Sequence, residues 1–174
     1  MIFTQRDFLS SAQCDELLRF YDANYTDTFR LEWGHESRYQ RLLDIQDPSV
    51  RQFIQSTILE LHPSICADLG FDHFTPHFME MFISNYQTGE GVGWHKDRPA
   101  FEYERPFVNE RVYNFSINLN TGYQGGSVHV DDLIVPKRLG IGTFFSVKNI
   151  HKVEPIQSGN RFSLIGWVYK KAGP

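Results

Sequence analysis

Three residues in the second half of the chain have the types and spacing of a metal centre. His95 and Asp97 stand two positions apart, so on an extended backbone their side chains point to the same face. His151 follows later, in a region rich in predicted strands. Two imidazoles and one carboxylate form a facial triad, which suits non-haem Fe(II) and leaves coordination positions open for other ligands.

A second pair of residues has the chemistry of a carboxylate anchor. Arg161 and Ser163 follow His151 and would share one face of a predicted strand. A guanidinium group presents a planar fork of donors that matches a carboxylate, and a hydroxyl adds a further donor. We therefore predict that this strand anchors a dicarboxylate next to the third metal ligand.

The remaining histidines offer weaker alternatives for a metal site. His129 and Asp131 repeat the His-x-Asp pattern, but on a short strand where a surface or cross-strand role is expected. His73 and His77 have the spacing of zinc ligands on a helix, but Pro76 and the strand pattern argue against a helix there. We interpret four histidines as ordinary surface or core residues: His35, His62, His73 and His77.

Other catalytic motifs are missing from the sequence. The glycines at 89, 91 and 93 do not form a phosphate-binding loop, because neither a Lys-Ser/Thr pair nor a helix pattern follows them. The sequence has no Gly-x-Ser-x-Gly nucleophile motif. Cys14 and Cys66 lack metal spacing, so we interpret them as reduced, partly buried thiols.

The composition restricts the class of protein. A length of 174 residues predicts one domain, and 41% hydrophobic with 22% charged residues is typical of a soluble globular chain. The net charge of −4 argues against a general nucleic-acid binder. The apolar runs are too short for a membrane span, and the start of the chain lacks the layout of a signal peptide, so we expect a cytoplasmic protein.

Two helices are predicted in the first part of the chain. The first covers about residues 10–24, where a serine caps it and apolar residues recur at helical spacing. The second begins at Asp47-Pro48, bends or restarts at Pro63 and stops at Gly70.

Strands are predicted from residue 74 onward. The runs lie near 77–86, 111–119, 127–135, 142–148, 151–156 and 162–170. Short strands with few helices between them favour a sandwich or jelly roll over a parallel α/β sheet. Residues 26–41 are predicted as a long loop or irregular strand, and residues 98–109 as a long loop.

A series of short sequence motifs lies within about residues 78–170. In chain order they are His95-x-Asp97, Gly125-Gly126-Ser127-Val128, Gly140-x-Gly142-Thr143-Phe144-Phe145, His151-Lys152-Val153-x-Pro155, Gly159-x-Arg161-x-Ser163-Leu164 and Gly166-Trp167-Val168. Together they resemble the Fe(II)/2-oxoglutarate-dependent oxygenases, and within them the prolyl 4-hydroxylase-like branch.

The resemblance implies a mainly β (α+β) domain over residues 1–174. Its core would be a double-stranded β-helix, or jelly roll, over about 73–172, supported by a helical N-terminal part over about 1–72. It implies that Fe(II) is bound by His95, Asp97 and His151, with no catalytic residue beyond the metal centre.

The resemblance also implies how the co-substrates bind. Arg161, helped by Ser163, would bind the distal carboxylate of 2-oxoglutarate. Tyr86 and Tyr113 stand at about the positions where that branch carries a tyrosine contacting this co-substrate, and Asn118 is a further candidate for the pocket. Dioxygen would be the second co-substrate, with ascorbate as a candidate reductant.

Two departures leave the substrate open. Animal collagen-type prolyl hydroxylases carry Lys where Arg161 stands, and the usual Gly-Gly-x-Thr or Gly-Gly-x-Leu is Gly-Gly-Ser-Val at 125–128. Nucleic-acid demethylases of the superfamily have a second arginine where this chain has Trp167. Nucleic acid is therefore not the expected substrate.

The resemblance implies hydroxylation of an aliphatic C–H bond, most simply on a peptidyl proline or another amino-acid residue. A free amino acid or a small metabolite is the alternative substrate. A non-catalytic jelly-roll binding module and a cupin-like enzyme with another metal are alternatives from other classes. No membrane partner is expected, and the protein is predicted to be a monomer or homodimer.

The segment after the metal motif is a candidate substrate lid. It carries Phe101, Tyr103 and Phe107 among charged residues, directly after Asp97. Loops next to a strand-held metal commonly select the substrate. The competing interpretation is a surface loop that packs its aromatic side chains on the barrel.

Overall fold

The computed structural model describes residues 1–33, 37–42, 45–97 and 111–170. The helices are α1 (Ser11–Ala23) and α2 (Pro48–Leu69), and a 3₁₀ turn spans Tyr25–Asp27. The strands are β1 (Ile2–Gln5), β2 (Thr28–Trp33), β3 (Ser37–Leu42), β4 (Pro76–Tyr86), β5 (Val92–His95), β6 (Arg111–Asn118), β7 (Gln124–Gly125), β8 (Val128–Val130), β9 (Leu133–Ile134), β10 (Gly142–Ser146), β11 (His151–Val153), β12 (Ile156–Ser158) and β13 (Arg161–Lys170). Neither described helix is long and apolar enough to cross a membrane.

Local capping explains where both helices begin and where α2 ends. Ser10 and Gln13 form a reciprocal capping box at the start of α1. The Asp47 carboxylate accepts hydrogen bonds from the first backbone N–H groups of α2, and Gly70 ends that helix at φ 74°. Both helix predictions are confirmed. Pro63 does not restart α2, which runs through it as one helix with Pro63 exposed.

Two main sheets carry the fold. The major sheet has seven strands in the order β1-β10-β6-β13-β4-β3-β2, and the minor sheet has four in the order β5-β11-β8-β9. A third pair joins β12 to β7. The neighbouring strands in these sheets pair antiparallel, as in a jelly roll. The prediction of a mainly β chain with helices near its start is confirmed.

Residues 26–41, predicted as a long loop or irregular strand, largely form a regular hairpin. Strands β2 and β3 pair with each other, and β3 joins the edge of β4 through Gln40 and Arg41. The pairing partner lies more than forty residues away along the chain, so the local pattern gave no signal for it. Likewise β1, which has only four residues, is defined by its pairing with β10.

The major sheet has a different environment on each face. One face packs against α1 and α2 in a core that includes Ile54, Ile58 and Phe115. The other face meets the minor sheet around residues such as Tyr86 and Trp167. The side chains on this second face therefore enclose the space between the two sheets.

Candidate metal centre

The minor sheet brings the two predicted metal-binding histidines together. Strands β5 and β11 are antiparallel neighbours, and His95 pairs directly with His151. The Nε2 atom of His95 lies 3.5 Å from Oδ1 of Asp97, and Nε2 of His151 lies 3.6 Å from Oδ2. One ligand atom from each residue lies within 4.8 Å of the others, which is the arrangement that the sequence predicted.

Both imidazole rings are oriented by a carbonyl two residues earlier in the chain. Nδ1 of His95 lies 2.9 Å from the Gly93 carbonyl oxygen, and Nδ1 of His151 lies 3.2 Å from that of Asn149. A carbonyl only accepts, so each Nδ1 carries the proton. Each Nε2 lone pair is thereby left for a metal ion.

Two side chains of the major sheet hold the Asp97 carboxylate. Trp167 on β13 donates from Nε1 to Oδ2 at 3.1 Å, and the Asn114 amide on β6 donates to the same oxygen. These contacts fix a residue that stands just beyond the end of β5. Sequence reasoning missed Asn114, because nothing in its local pattern indicated that it faces Asp97.

Burial and mutual attraction set the charge of the cluster. Burial favours a raised pKa for Asp97, but the His95 hydrogen bond and the His151 ring outweigh it and lower that pKa. Burial lowers the pKa of His151 despite the Asp97 carboxylate. Burial acts in the same direction on His95, but its bonds to Asp97 and to the Gly93 carbonyl raise the pKa overall. Asp97 is thus an ionised ligand.

The donor set fits a divalent transition metal. Two neutral nitrogens and one carboxylate oxygen suit Fe(II), and three protein ligands leave positions open for a chelating co-substrate and dioxygen. The cluster forms one end of a cavity of about 220 Å³ between the two sheets. The cavity walls are largely apolar and include Phe82, Val92 and Ile165.

Arg161 lines the same cavity as a buried cation. The residue is only 3% exposed, and its Nε and Nη1 atoms have no hydrogen-bond partner among the described residues. Its guanidinium lies 5.3 Å from the ring centre of Tyr86, with which it pairs across β13 and β4. A buried charge without a counter-ion is costly, so the guanidinium fits an anionic ligand supplied from outside the chain.

Comparison with known proteins identifies the family. The family model described as the 2OG-Fe(II) oxygenase superfamily matches residues 81–169, which is half of the chain. The chain belongs to the 2OG-Fe(II) oxygenase superfamily. Members take their name from the Fe(II) and 2-oxoglutarate that they use, and the cluster at His95, Asp97 and His151 lies inside the matched residues.

A curated relative and two solved structures are similar to this oxygenase. A PKHD-type hydroxylase of Synechococcus sp. strain CC9902 is 32% identical over 94 residues, which cover 51% of this chain and 40% of the relative's length. A Pseudomonas putida prolyl-4-hydroxylase is 22% identical with a TM-score of 0.71, covering 98% of this chain and 93% of the other.

The second solved structure is a Trichoplax adhaerens prolyl hydroxylase in complex with a peptide fragment of the hypoxia inducible factor oxygen degradation domain. It is 17% identical with a TM-score of 0.75, covering 97% of this chain and 83% of the other. These structural likenesses confirm the jelly-roll core.

The two tyrosines predicted near the co-substrate lie in different places in this oxygenase. Tyr86 lines the metal cavity and stacks on Tyr39 at 5.0 Å. Tyr113 is on the opposite face of the sheet, where its hydroxyl lies 2.9 Å from Nδ1 of His62 on α2. The prediction that Tyr113 contacts the co-substrate is therefore wrong, because its strand parity turns it toward the helices.

Ser163 and Asn118 also lie away from the metal cavity. Both belong to neighbouring strands and pair across them. Asn118 lines a second cavity and accepts a hydrogen bond from the Tyr123 hydroxyl at 3.1 Å. Ser163 is buried and lines neither cavity, and its hydroxyl has no partner within the described parts of the chain.

The second His-x-Asp motif lies outside the metal cluster, as predicted. His129 pairs with Glu154 at 2.9 Å on the surface of the minor sheet. Asp131 accepts hydrogen bonds from the side chain of Asn149 at 2.5 Å and from the backbone of Ile150 at 3.2 Å. Asp131 thus supports the turn that leads into His151, a role that sequence reasoning missed.

The remaining predictions concern histidines and the proposed lid. His62 is buried between α2 and the major sheet, where His73 contacts its ring, and neither belongs to the metal cluster. His77 lies on β4 rather than on a helix. Several predicted residues lie outside the described part of the chain: His35 and the lid residues Phe101, Tyr103 and Phe107.

Proposed function

We propose that this protein is an Fe(II)- and 2-oxoglutarate-dependent hydroxylase of an aliphatic C–H bond. One observation carries the proposal: a three-donor metal cluster and a buried guanidinium, whose Nε and Nη1 have no partner among the described residues, line a single cavity. When bound, the metal and its co-substrate supply oxidative decarboxylation of 2-oxoglutarate to succinate, coupled to insertion of an oxygen atom into the substrate. Dioxygen is the other co-substrate, with ascorbate as a candidate reductant.

The residues of the chain bind, orient and exclude water. His95, Asp97 and His151 hold the metal, and Arg161 binds the distal carboxylate of the co-substrate. Tyr86 covers the guanidinium; burial raises the pKa of its hydroxyl despite the Arg161 charge, so the hydroxyl stays protonated as a donor. Apolar walls keep the reaction away from water. No catalytic residue beyond the metal centre is required.

A peptidyl proline, or another residue of a peptide, is the substrate class that we propose. A surface groove of about 580 Å³ shares Val92 and Val153 with the metal cavity, and the exposed ring of Trp94 lines it. Because this groove adjoins the metal cavity, a peptide lying in it would present one of its residues to the metal cluster. The peptide-bound Trichoplax structure supports this proposal by analogy.

A free amino acid or another small metabolite is the alternative substrate. The matched segment spans only about 40% of the length of the first curated relatives, so their activity as whole proteins is an analogy for this chain. Cytoplasmic location, a single domain and a monomeric or homodimeric state stay predictions.

The test begins with co-factor binding under anaerobic conditions. Metal-free protein is mixed with Fe(II) and 2-oxoglutarate, and the visible metal-to-ligand charge-transfer band is recorded. We expect a band in the wild type, its loss in His95→Ala and its weakening in Arg161→Ala. His129→Ala is the matched control and should keep the band, because His129 belongs to the other His-x-Asp motif.

Succinate release then identifies the substrate. Proline-containing peptides, matched peptides with alanine in place of proline, and free amino acids are compared under oxygen. Release that depends on the proline peptide supports the peptidyl substrate, and release with a free amino acid favours the alternative. A folded, Fe(II)-loaded wild type without a band would overturn the enzyme proposal in favour of a binding module.

A further inference from the structure

Trp94 is an exposed aromatic residue that neighbours the metal cluster along the chain. It directly precedes the ligand His95 on β5, and neighbouring residues of a strand point to opposite faces. The indole therefore lies on the outer face of the minor sheet, where 48% of the residue is exposed. A single exposed apolar side chain is ordinary on a protein surface, so its surroundings decide whether it has a function.

Two other strands of the minor sheet hold the indole in place. The His129 ring meets it edge-on, with ring centres 6.0 Å apart and planes at 69°. The Lys152 ammonium lies 5.2 Å from the indole centre, within the range of a cation–π contact. Glu154 pairs with both neighbours, at 2.9 Å from Nε2 of His129 and 3.3 Å from Nζ of Lys152. The ring is thus oriented before a ligand arrives, which lowers the entropic cost of binding.

The indole lines the surface groove that adjoins the metal cavity. The groove also contains Pro155, and it shares Val92 and Val153 with the cavity. Among the described strands, β5 is at the edge of the minor sheet. A peptide that crosses this edge passes from the groove on the outer face into the space between the two sheets, where the metal cluster lies.

The separation of the groove from the metal cluster sets the spacing of the peptide residues that contact them. The two sites lie on opposite faces of one sheet, and a sheet layer is about 10 Å thick. An extended chain advances roughly 3.3 Å per residue. A residue stacked on Trp94 is therefore about three positions away from the residue at the metal cluster.

The chemistry of the groove favours a ring over a charged side chain. The charged residues that line it already have ionic partners. Lys152 and Glu154 pair with each other, and Nε of Arg38 lies 3.7 Å from Glu32. A charged ligand would compete with these pairs, whereas an apolar ring packs on the open indole surface without such an exchange. Proline and aromatic residues carry such rings, and proline-rich segments bind aromatic-lined grooves in other proteins.

We propose that Trp94 selects the peptide substrate by stacking on a proline or aromatic side chain about three positions from the hydroxylated residue. The proposal rests on the proposed function and adds a required feature of the substrate outside the reacting residue. His129, Lys152 and Glu154 are positioning residues, because they act through the indole. Trp94 contacts the substrate and is not part of the metal cluster.

The test compares peptides that differ in one ring. Short peptides carry a central proline among glycine and alanine residues, and tyrosine replaces each flanking residue in turn. Tyrosine supplies a ring without adding a second target proline. Succinate release under oxygen gives kcat and KM, and mass spectrometry confirms hydroxylation of the proline. We expect the wild type to prefer tyrosine about three residues from the proline, by roughly tenfold in kcat/KM.

Two substitutions of Trp94 separate the ring from apolar bulk. Trp94→Leu keeps an apolar side chain without a ring and should lose the preference for tyrosine through a higher KM at unchanged kcat. Trp94→Phe keeps a ring and should retain most of the preference. The preference compares two peptides on one enzyme, so a general loss of active protein cancels. The anaerobic charge-transfer band with Fe(II) and 2-oxoglutarate should be the same in both variants.

Leu133→Ala is the matched control. Leu133 belongs to the minor sheet, is 47% exposed and is not among the described residues that line the groove. Its variant should keep the wild-type preference for tyrosine. His129→Ala should weaken the preference in part and keep the charge-transfer band, because the indole loses one of its two contacts.

Each outcome has a distinct meaning. Loss of the preference in Trp94→Leu with retention in Trp94→Phe and Leu133→Ala supports the proposal. A wild type that shows the band but has no ring preference, or turns over only free amino acids, overturns it while the oxygenase chemistry stands. Equal preferences in Trp94→Leu and the wild type overturn it as well. A folded Trp94→Leu protein that is inactive on every peptide also overturns it, because Trp94 would then be required by the metal centre. A folded, Fe(II)-loaded wild type without the band overturns the proposed function itself.

Discussion

At the scale of single residues, the metal centre depends on the partners of its ligands as much as on the ligands. The two imidazoles use equivalent contacts to carbonyls two residues earlier, at Gly93 and Asn149. Asp97 instead depends on Asn114 and Trp167 from the opposite sheet. Both donors bind the same carboxylate oxygen from the major sheet, whereas Asp97 follows a strand of the minor sheet. The orientation of Asp97 therefore depends on how the two sheets pack against each other.

Asn114→Ala tests this dependence. Without the amide, the Asp97 carboxylate loses one of its two fixed donors and samples other orientations. We expect the Fe(II) affinity to fall by about 10- to 100-fold, as for other residues that orient a metal ligand. Anaerobic Fe(II) titration by calorimetry measures the change.

Asn85→Ala is the control for Asn114→Ala. Asn85 is also a buried asparagine of the major sheet, but it is not among the described residues that line the metal cavity. Its variant should keep the wild-type Fe(II) affinity. An Asn114→Ala protein that binds Fe(II) as tightly as the wild type would show that Trp167 alone orients Asp97.

At the scale of elements, the turns between strands decide where the ligands point. Asp131, in the turn between β8 and β9, has φ 49° and reaches across to the turn before β11. Its carboxylate holds Asn149 and Ile150, and the Asn149 carbonyl in turn holds the His151 ring. The second His-x-Asp motif thus lies outside the metal cluster and supports one of its ligands, His151.

Asp131→Ala should weaken metal binding because it loosens the turn that precedes His151. We expect about tenfold lower Fe(II) affinity with the fold preserved, because the Asn149 carbonyl is no longer held in place. Asp132→Ala is the matched control, since Asp132 is adjacent and exposed. Equal Fe(II) affinities for the two variants would contradict this role of Asp131.

A buried histidine, His62, makes two hydrogen bonds at the contact between α2 and the major sheet. Nε2 of His62 donates to the Phe74 carbonyl at 2.9 Å, which leaves Nδ1 to accept from the Tyr113 hydroxyl. Burial lowers the pKa of His62 below its ordinary value, and the charge of nearby His73 acts in the same direction. The ring is therefore neutral in the folded protein.

Because His62 is buried as a neutral ring, we expect the folded protein to lose stability in acid. Below the unfolded-state pKa the unfolded chain binds a proton that the folded ring does not, so the free energy of unfolding falls as pH falls. The loss begins below about pH 6.5 and continues toward the lower folded-state pKa. Urea unfolding from pH 8 to 5 should show a shallower decrease in His62→Gln, whose amide keeps both hydrogen bonds without titrating. Parallel pH profiles would contradict the assignment.

At the scale of the whole molecule, the N-terminal segment is tied into the sheet that carries the site. The Leu9 N–H donates to the Gly140 carbonyl at 3.0 Å, and β1 pairs with β10, whose Phe145 lines the metal cavity. Gly140 has φ 67°, and a side chain there would collide with the Leu9 carbonyl. The close approach of these two backbones requires glycine.

Gly140→Ala should therefore destabilise the whole domain. We expect a loss of about 2 kcal/mol in the free energy of unfolding, which corresponds to a melting temperature lower by roughly 4–8 °C. Thermal unfolding measures it. Gly122→Ala is the control, because a side chain at Gly122 meets no atom within 4 Å. Similar melting temperatures for both variants would contradict the requirement for glycine at position 140.

Several features of this protein follow from local sequence alone. The spacing of His95 and Asp97 and the residue types at His151 and Arg161 indicated the metal donors and the buried guanidinium, because their chemistry is specific. The caps at Ser10 and Asp47 located both helices, since capping depends on neighbouring residues.

Only the tertiary structure decided the remainder of the site. Tyr113 and Tyr86 both lie on strands, but the first faces the helices and the second lines the metal cavity. A shift of one residue in register exchanges the two faces of a strand, and register is set by partners far away in the chain. The pairing of β3 with β4 and the contacts of Asn114 and Asp131 likewise required the fold, because each joins residues that are not neighbours in the sequence.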